Sequence, residues 1–129
     1  MKKETAMKLS GNGKLLRIFL GELDKLNHKP LYEAIVLKVR EMGLAGATVL
    51  RGIQGFGADS RVVHTAKILR LSEDLPIVIE IVESEENIRN LIPVIDAMIA
   101  SARCGAMMTI EKAEIIRYTP GEFMKKPPG

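Results

Sequence analysis

Gly43-Leu44-Ala45-Gly46-Ala47-Thr48-Val49, continued a few residues later by Gly55-Phe56-Gly57, reads as a helix ending at a glycine, a strand, and a glycine-rich exit into a long connection. Glycines at a helix C-terminus and around Phe56 supply the positive φ and close backbone approach that a side chain forbids. A backbone that a ligand can approach closely suits phosphate groups, and the same glycines serve any tight turn.

Working outward, Pro30 suits the first turn of a helix. Behind it Leu31, Ile35, Val39 and Met42 recur at helical spacing and give one apolar stripe. A strand is expected over residues 14–20, where Leu16, Ile18 and Leu20 alternate with Leu15, Arg17 and Phe19. The second strand spans residues 47–54, and Pro76 opens a third at 77–82, apolar except for Glu80, as in a central strand. Ser84 offers an N-cap, and Glu85 and Glu86 complement the positive end of a helix dipole. The stripe Ile88, Leu91, Ile92, Ile95, Met98, Ile99 carries that helix to about Ala102, and Pro93 predicts a kink or a split within it. The last strand is expected over residues 107–118.

The order strand, helix, strand, strand, helix, strand predicts an α+β, ferredoxin-like βαββαβ fold, with an antiparallel sheet and two helices on one face. Residues 1–13, closed by Gly11-Asn12-Gly13, read as a flexible N-terminal arm, 14–118 as the domain, and 119–129 as a flexible tail bearing proline and lysine. Leu15, Phe19, Ile77 and Ile79 are assigned to the sheet face away from the helices, so that face needs a cover, and self-association is the simplest one. Residues 58–75 form a long connection for two sequential strands, of the length that serves function or mobility. Ser60 would cap a short helix there through Val63, Ala66, Lys67 and Leu69, either as a shield for the sheet or as a ligand-responsive arm.

With 129 residues, 47% hydrophobic and 27% charged, the chain suits a single soluble globular domain. No apolar run approaches the ~20 residues of a membrane span, and no secretory leader is read. The single cysteine, Cys104, excludes an internal disulfide and fits a reducing compartment, so the expected location is cytoplasmic. A net charge of +3, partly in the tails, with three Phe, two Tyr and no Trp, offers no stacking platform, and no nucleic acid is expected as partner.

Catalytic chemistry is poorly served, and no catalytic residue is assigned. His28 and His64 stand far apart and read as surface residues. Cys104 has only Arg103 beside it as an activating group. No metal-ligand spacing and no GxxxxGK[ST] phosphate loop occurs. Arg17, Arg51 and Arg117 fall on expected strands, where a charge requires a partner or an open groove. Their planar donor forks suit phosphate, and ion pairs with Glu80, Glu111 or Glu114 are the competing use.

Four segments together resemble the PII-like signalling proteins, in particular their small PII-like branch related to nitrogen regulatory PII proteins. The opening glycine stretch with Gly55-Phe56-Gly57 resembles the second PII strand and the entry to the mobile T-loop. Leu75-Pro76-Ile77-Val78-Ile79-Glu80-Ile81-Val82 resembles the strand after that loop. Ile110-Glu111-Lys112-Ala113-Glu114-Ile115-Ile116-Arg117 resembles the final strand with its phosphate-binding arginine. Lys29-Pro30-Leu31-Tyr32-Glu33-Ala34, His64-Thr65-Ala66-Lys67 and Leu71-Ser72-Glu73-Asp74-Leu75-Pro76 are typical of the PII-like branch.

The resemblance implies a non-enzymatic homotrimer with its sheets facing inward and an adenine nucleotide (ADP, AMP or ATP) in the clefts between subunits. No obligatory cofactor is implied. By matching positions, Thr48, Gly55, Phe56, Gly57 and Val82 would line the cleft, with Val82 at the base. Arg117 would reach a phosphate from the neighbouring subunit. Arg103 and Gly105 stand where the family carries a longer phosphate-holding loop. Residues 58–75 would be the T-loop-like arm that engages a target protein, and PII-like proteins often work beside a membrane transporter. That arm contains no tyrosine, so control by uridylylation is not expected. The rival reading is a trimeric metal-responsive or structural protein of the divalent-cation-tolerance type, and a third is a small enzyme acting on a nucleotide.

Overall fold

Alternate residues of the first strand are buried, and the packing of the molecule grows from that alternation. The computed structural model describes residues 11–58 and 74–121. β1 (Gly11–Gly21) turns Leu16, Ile18 and Leu20 into the core. A ribbon of β2 (Lys25–Leu26) and β3 (Lys29–Pro30) leads into α1 (Leu31–Glu41). Then come β4 (Thr48–Arg51), β5 (Pro76–Glu83), α2 (Glu85–Ala102) and β6 (Met107–Ile115). Four strands make one antiparallel sheet in the order β4-β5-β1-β6, the ferredoxin-like βαββαβ arrangement read from the sequence.

Register decides which side chains share a face. Leu16 lies opposite Ile81, Ile18 opposite Ile79 and Leu20 opposite Ile77, and all six are buried. Leu31, Ile35 and Val39 of α1 and Ile88, Leu91 and Ile95 of α2 close the same core. Each such aliphatic side chain contributes about 1.5–3 kcal/mol by leaving water. Ile77 and Ile79 therefore face the helices, not the open side assigned to them from the sequence. An unbroken apolar strand hides its phase, and the phase is set by the pairing with β1.

The open face carries Leu50, Val78, Phe19 and Met107 in one row, then Thr48, Glu80, Arg17 and Thr109, then Val82, Leu15 and Glu111. Phe19 is 38% exposed, Leu50 48% and Met107 60%, so a row of large apolar groups meets solvent there.

Element ends differ from the sequence reading in physically traceable ways. Gly11, Asn12 and Gly13, read as the end of a flexible arm, are strand residues because Ile115, Glu114 and Ala113 of β6 offer them ladder partners. β4 stops at Arg51 and β6 at Ile115, short of the expected 54 and 118, and the last ladder pairs among the described residues are Arg51 with Ile77 and Ile115 with Gly11. Pro30 precedes α1 as its N-cap, and Met42 ends the stripe half-exposed at the C-cap, before Gly43 with φ +78°. Pro93 does not split α2, which runs through it. Both Pro93 and Arg89, whose carbonyl loses its helical donor, lie on the solvent side, where water can satisfy that carbonyl. The arm at 1–10, residues 59–73 with the Ser60 helix and His64, and the tail at 122–129 lie outside the described residues.

The β2–β3 turn, absent from the sequence reading, uses Asn27 (φ +52°) and His28 (φ +69°), both in the left-handed region. His28 carries a side chain where glycine is favoured. Replacing it, His28→Gly, is expected to raise unfolding stability by about 1 kcal/mol, read from a urea midpoint. A lower midpoint would show that the imidazole, and not the turn geometry, dominates there.

Candidate functional site

The edge formed by β4 and β5 is held by a carboxylate. Glu83 is fully buried at the end of β5, on the core side of the strand. One of its oxygens accepts the Ala45 N–H at 2.8 Å. The other accepts the Ser84 N–H at 3.0 Å and the Asn87 Nδ2 amide at 2.9 Å. Ser84 Oγ accepts the Asn87 N–H at 3.2 Å and caps α2. Glu83 thus ties the loop before β4 to the start of α2, which sets where Thr48 enters the sheet. Glu83 is not among the residues expected at the site from the sequence, although alternation after Ile77, Ile79 and Ile81 places it on the buried face.

Thr48 lies opposite Glu80 on the open face, and Val82 lies one step further along β5 on that face, 40% exposed. The structure thus brings these two expected residues together. Beyond β4 the chain stays close to β5: Gly52 N–H donates to the Pro76 carbonyl at 2.7 Å. A Cβ on Gly52 would sit 2.8 Å from the Pro76 ring, so this crossing needs glycine. Gly55 follows at φ +150°, and nothing lies within 4 Å of where a Gly57 Cβ would be. Ile53 is 94% exposed and Phe56 71%, an apolar step in open solvent.

The other expected residues stand on the opposite edge. Arg103 caps α2 in a left-handed conformation (φ +58°), its N–H donating to Ile99 and Ala100 carbonyls, with its side chain exposed. Cys104 behind it is half-buried against the core, and Gly105 leads into β6. Arg117 lies two residues beyond β6, exposed, and not on a strand as expected. Its Nε donates to Thr119 Oγ1 at 3.1 Å. Phe19 pairs with both Val78 and Met107, so Arg103 and Gly105 lie at the end of the sheet where β4 exits to Gly55-Phe56-Gly57. Arg117 lies at the end that carries Val82. Three inter-strand spacings, roughly 14 Å, separate the two edges.

The other two strand arginines are committed to ion pairs. Arg51 pairs with Glu22, which is not among the partners anticipated for it. Arg17 bridges Glu80 at 3.0 Å and Glu111 at 2.8 Å in the middle of the open face. Its hydrogen bond to Glu80, aided by the Glu111 charge, raises the guanidinium above its ordinary range, so it stays cationic at any working pH. Among the described residues no group of three or more His, Cys, Asp or Glu side chains is placed to hold a metal ion. No helix among them is long and apolar enough to cross a membrane.

Residues 13–115 match the model of the DUF190 family, described as "Uncharacterized ACR, COG1993". A UPF0166 protein of Aquifex aeolicus is 35% identical over 103 residues, which are 80% of this chain and 92% of that one. A UPF0166 protein of Methanocaldococcus jannaschii is 42% identical over 80 residues, 62% of this chain and 72% of that one. Among solved structures, CPII of Thiomonas intermedia K12 bound to ADP and bicarbonate superposes with a TM-score of 0.59 at 18% identity, over 82% of this chain and 90% of that one. The same nitrogen regulatory PII-like protein, bound to ADP, AMP and bicarbonate, gives 0.58 at 17% identity, with the same coverage.

The Glu83 staple makes a direct prediction. Glu83→Gln replaces an acceptor oxygen by an NH2 that faces other donors, and is expected to cost about 1–3 kcal/mol in urea unfolding. Glu85→Gln, at the exposed next acidic position, should stay within about 0.5 kcal/mol. Equal midpoints for the two variants would remove the structural role given to Glu83.

Proposed function

Since this chain belongs to the DUF190 family and has the fold of PII-like proteins, we propose that it is a non-enzymatic sensor binding an adenine nucleotide between subunits of a homotrimer. The observation that carries this reading is the split of the expected site over the two sheet edges. Thr48, Val82 and Gly55-Phe56-Gly57 flank β4, whereas Arg103, Gly105 and Arg117 flank β6. One chain does not close such a site. A second copy whose β6 side approaches the β4 side, with matching ends of the sheet in step, would bring Arg103 and Gly105 to the glycine exit and Arg117 to the Val82 end.

The open face supports the same assembly. Phe19, Leu50, Val82 and Met107 present an apolar surface that a neighbouring sheet face would take out of water. In that arrangement Val82 would offer apolar surface to a base, Thr48 a hydroxyl to a polar atom and Arg117 a charge-assisted hydrogen bond at that end, while Arg103 beside Gly55-Phe56-Gly57 would offer one to a phosphate oxygen at the other. CPII, bound to ADP or to ADP and AMP, supports ADP or AMP as the ligand here. The nucleotide would then act on residues 58–75, which follow the glycine exit directly, and that segment would engage or release a target protein. Such a switch needs the ligand to favour one arrangement by a few kcal/mol.

Thermal unfolding with AMP, ADP, ATP and free phosphate tests the reading. One adenine nucleotide at a hundredfold excess over its dissociation constant should add about 2.7 kcal/mol, and phosphate at the same level should not match it. No gain with any nucleotide would overturn the sensor. Sedimentation should give a trimer, and Phe19→Glu, placing a charge in the apolar row, should shift it to monomer.

Arg103 supplies a sharper test because stability and binding should move in opposite directions. Arg103→Gly relieves the left-handed backbone and should raise the stability of the unliganded protein by about 1 kcal/mol. Without its guanidinium, nucleotide affinity should fall about tenfold. Gain of stability with unchanged affinity would reduce Arg103 to a helix cap.

A further inference from the structure

At the far end of the sheet, on the helix-facing side, two lysines oppose each other. Lys14 of β1 and Lys112 of β6 are direct partners in the antiparallel register, on the face that carries Leu16 and Ile110 further along. Directly opposed side chains stand about 5 Å apart at Cβ, and like charges there repel. Among the described residues no carboxylate comes within 4.0 Å of either ammonium, although Arg17, Lys38, Arg51 and Arg89 all hold ion pairs. Glu83, the partner of Lys14 across β5, gives its oxygens to Ala45, Ser84 and Asn87 instead.

The pair borders a cavity of about 520 Å³, lined also by Asn12, Gly13, Glu85, Ala113 and Glu114. That volume suits a small metabolite rather than a bare ion. α2 begins at Glu85 on its wall, where Glu83, Ser84 and Glu85 already meet the positive end of the helix dipole, so the two ammonium groups are the source of positive potential in the cavity. Glu85 and Glu114 add two acceptors that disfavour a bare polyanion and favour a ligand bringing hydroxyl donors. The geometry points to a second binding site, in which Lys14 and Lys112 clasp the phosphate of a small hydroxylated phosphate ester within a single subunit. Every side chain involved belongs to one chain, and none is in the nucleotide cleft, so this site stands whether or not the nucleotide reading does.

The test uses amide NMR on the full chain at constant ionic strength, titrated with glycerol phosphate, with inorganic phosphate, and with glycerol and chloride as controls. Saturable shifts are expected at Gly13, Lys14, Lys112 and Ala113 with the ester, weaker ones with inorganic phosphate, and none with glycerol or chloride. The double variant Lys14→Gln, Lys112→Gln should lose at least tenfold in ester affinity. Having lost the mutual repulsion, it should melt no lower than the parent without ligand, and gain less on adding the ester. Its affinity for AMP should be unchanged. Equal response to chloride, absence of saturation, or an ester affinity the double variant leaves intact would each overturn the site.

Discussion

The pairing of β1 with β5 is the constraint on which the remaining geometry hangs. It sets Ile18 beside Ile79 under the helices and, one residue on, Arg17 beside Glu80 on the opposite face. A slip by one residue would move three core isoleucines into solvent and drive Glu80 and Val78 under α1 and α2. Because β5 also holds β4, and β1 also holds β6, the same register spaces both sheet edges. The positions of Thr48 at one edge and of Arg117 beyond the other are thus consequences of how one pair of strands packs.

Glu83 connects that core to the β4 edge. A buried carboxylate without a cation is tolerated only when donors fill its oxygens, and here the donors come from a loop and a helix start that are remote in sequence. The arrangement makes the entry to β4 as rigid as the start of α2. By contrast, the exit from β4 is held to β5 by the Gly52 N–H, and beyond it Ile53 and Phe56 project into solvent. β4 is thus anchored at its entry and open at its exit.

Much of this was legible from residue pattern alone. The helical stripes from Leu31 and from Ile88, the glycine closing α1 at Gly43, the Ser84 cap and the alternation in β1 all survive in the folded chain, since each depends on local geometry. What was illegible depends on pairing. Ile77 and Ile79 lie in a strand with no polar phase marker, so only β1 tells which way they point. Gly11 to Gly13 look like a flexible end until β6 is laid beside them. Arg51 finds Glu22, a residue of the turn after β1, through tertiary contact. Lys14 and Lys112 are unremarkable in sequence, and only the antiparallel register makes them neighbours. The expected cleft residues are legible by resemblance, but their division between two edges appears only in the sheet order.

The open face adds a last constraint on any assembly. Arg17 lies between Glu80 and Glu111 in the centre of a surface otherwise edged by Phe19, Leu50, Val82 and Met107. A purely apolar partner laid over this face would strip water from three charges and return nothing, a desolvation penalty that ion pairing offsets only in part. A partner that brings donors opposite Glu80 and Glu111, as well as apolar side chains opposite Phe19 and Met107, avoids that cost. The triad carries one more carboxylate than cation, so covering it favours a partner surface with compensating positive charge or hydroxyl donors. In any such assembly the ion triad would therefore act on which surface is accepted, by penalising mismatched ones, while the apolar side chains around it would supply the affinity.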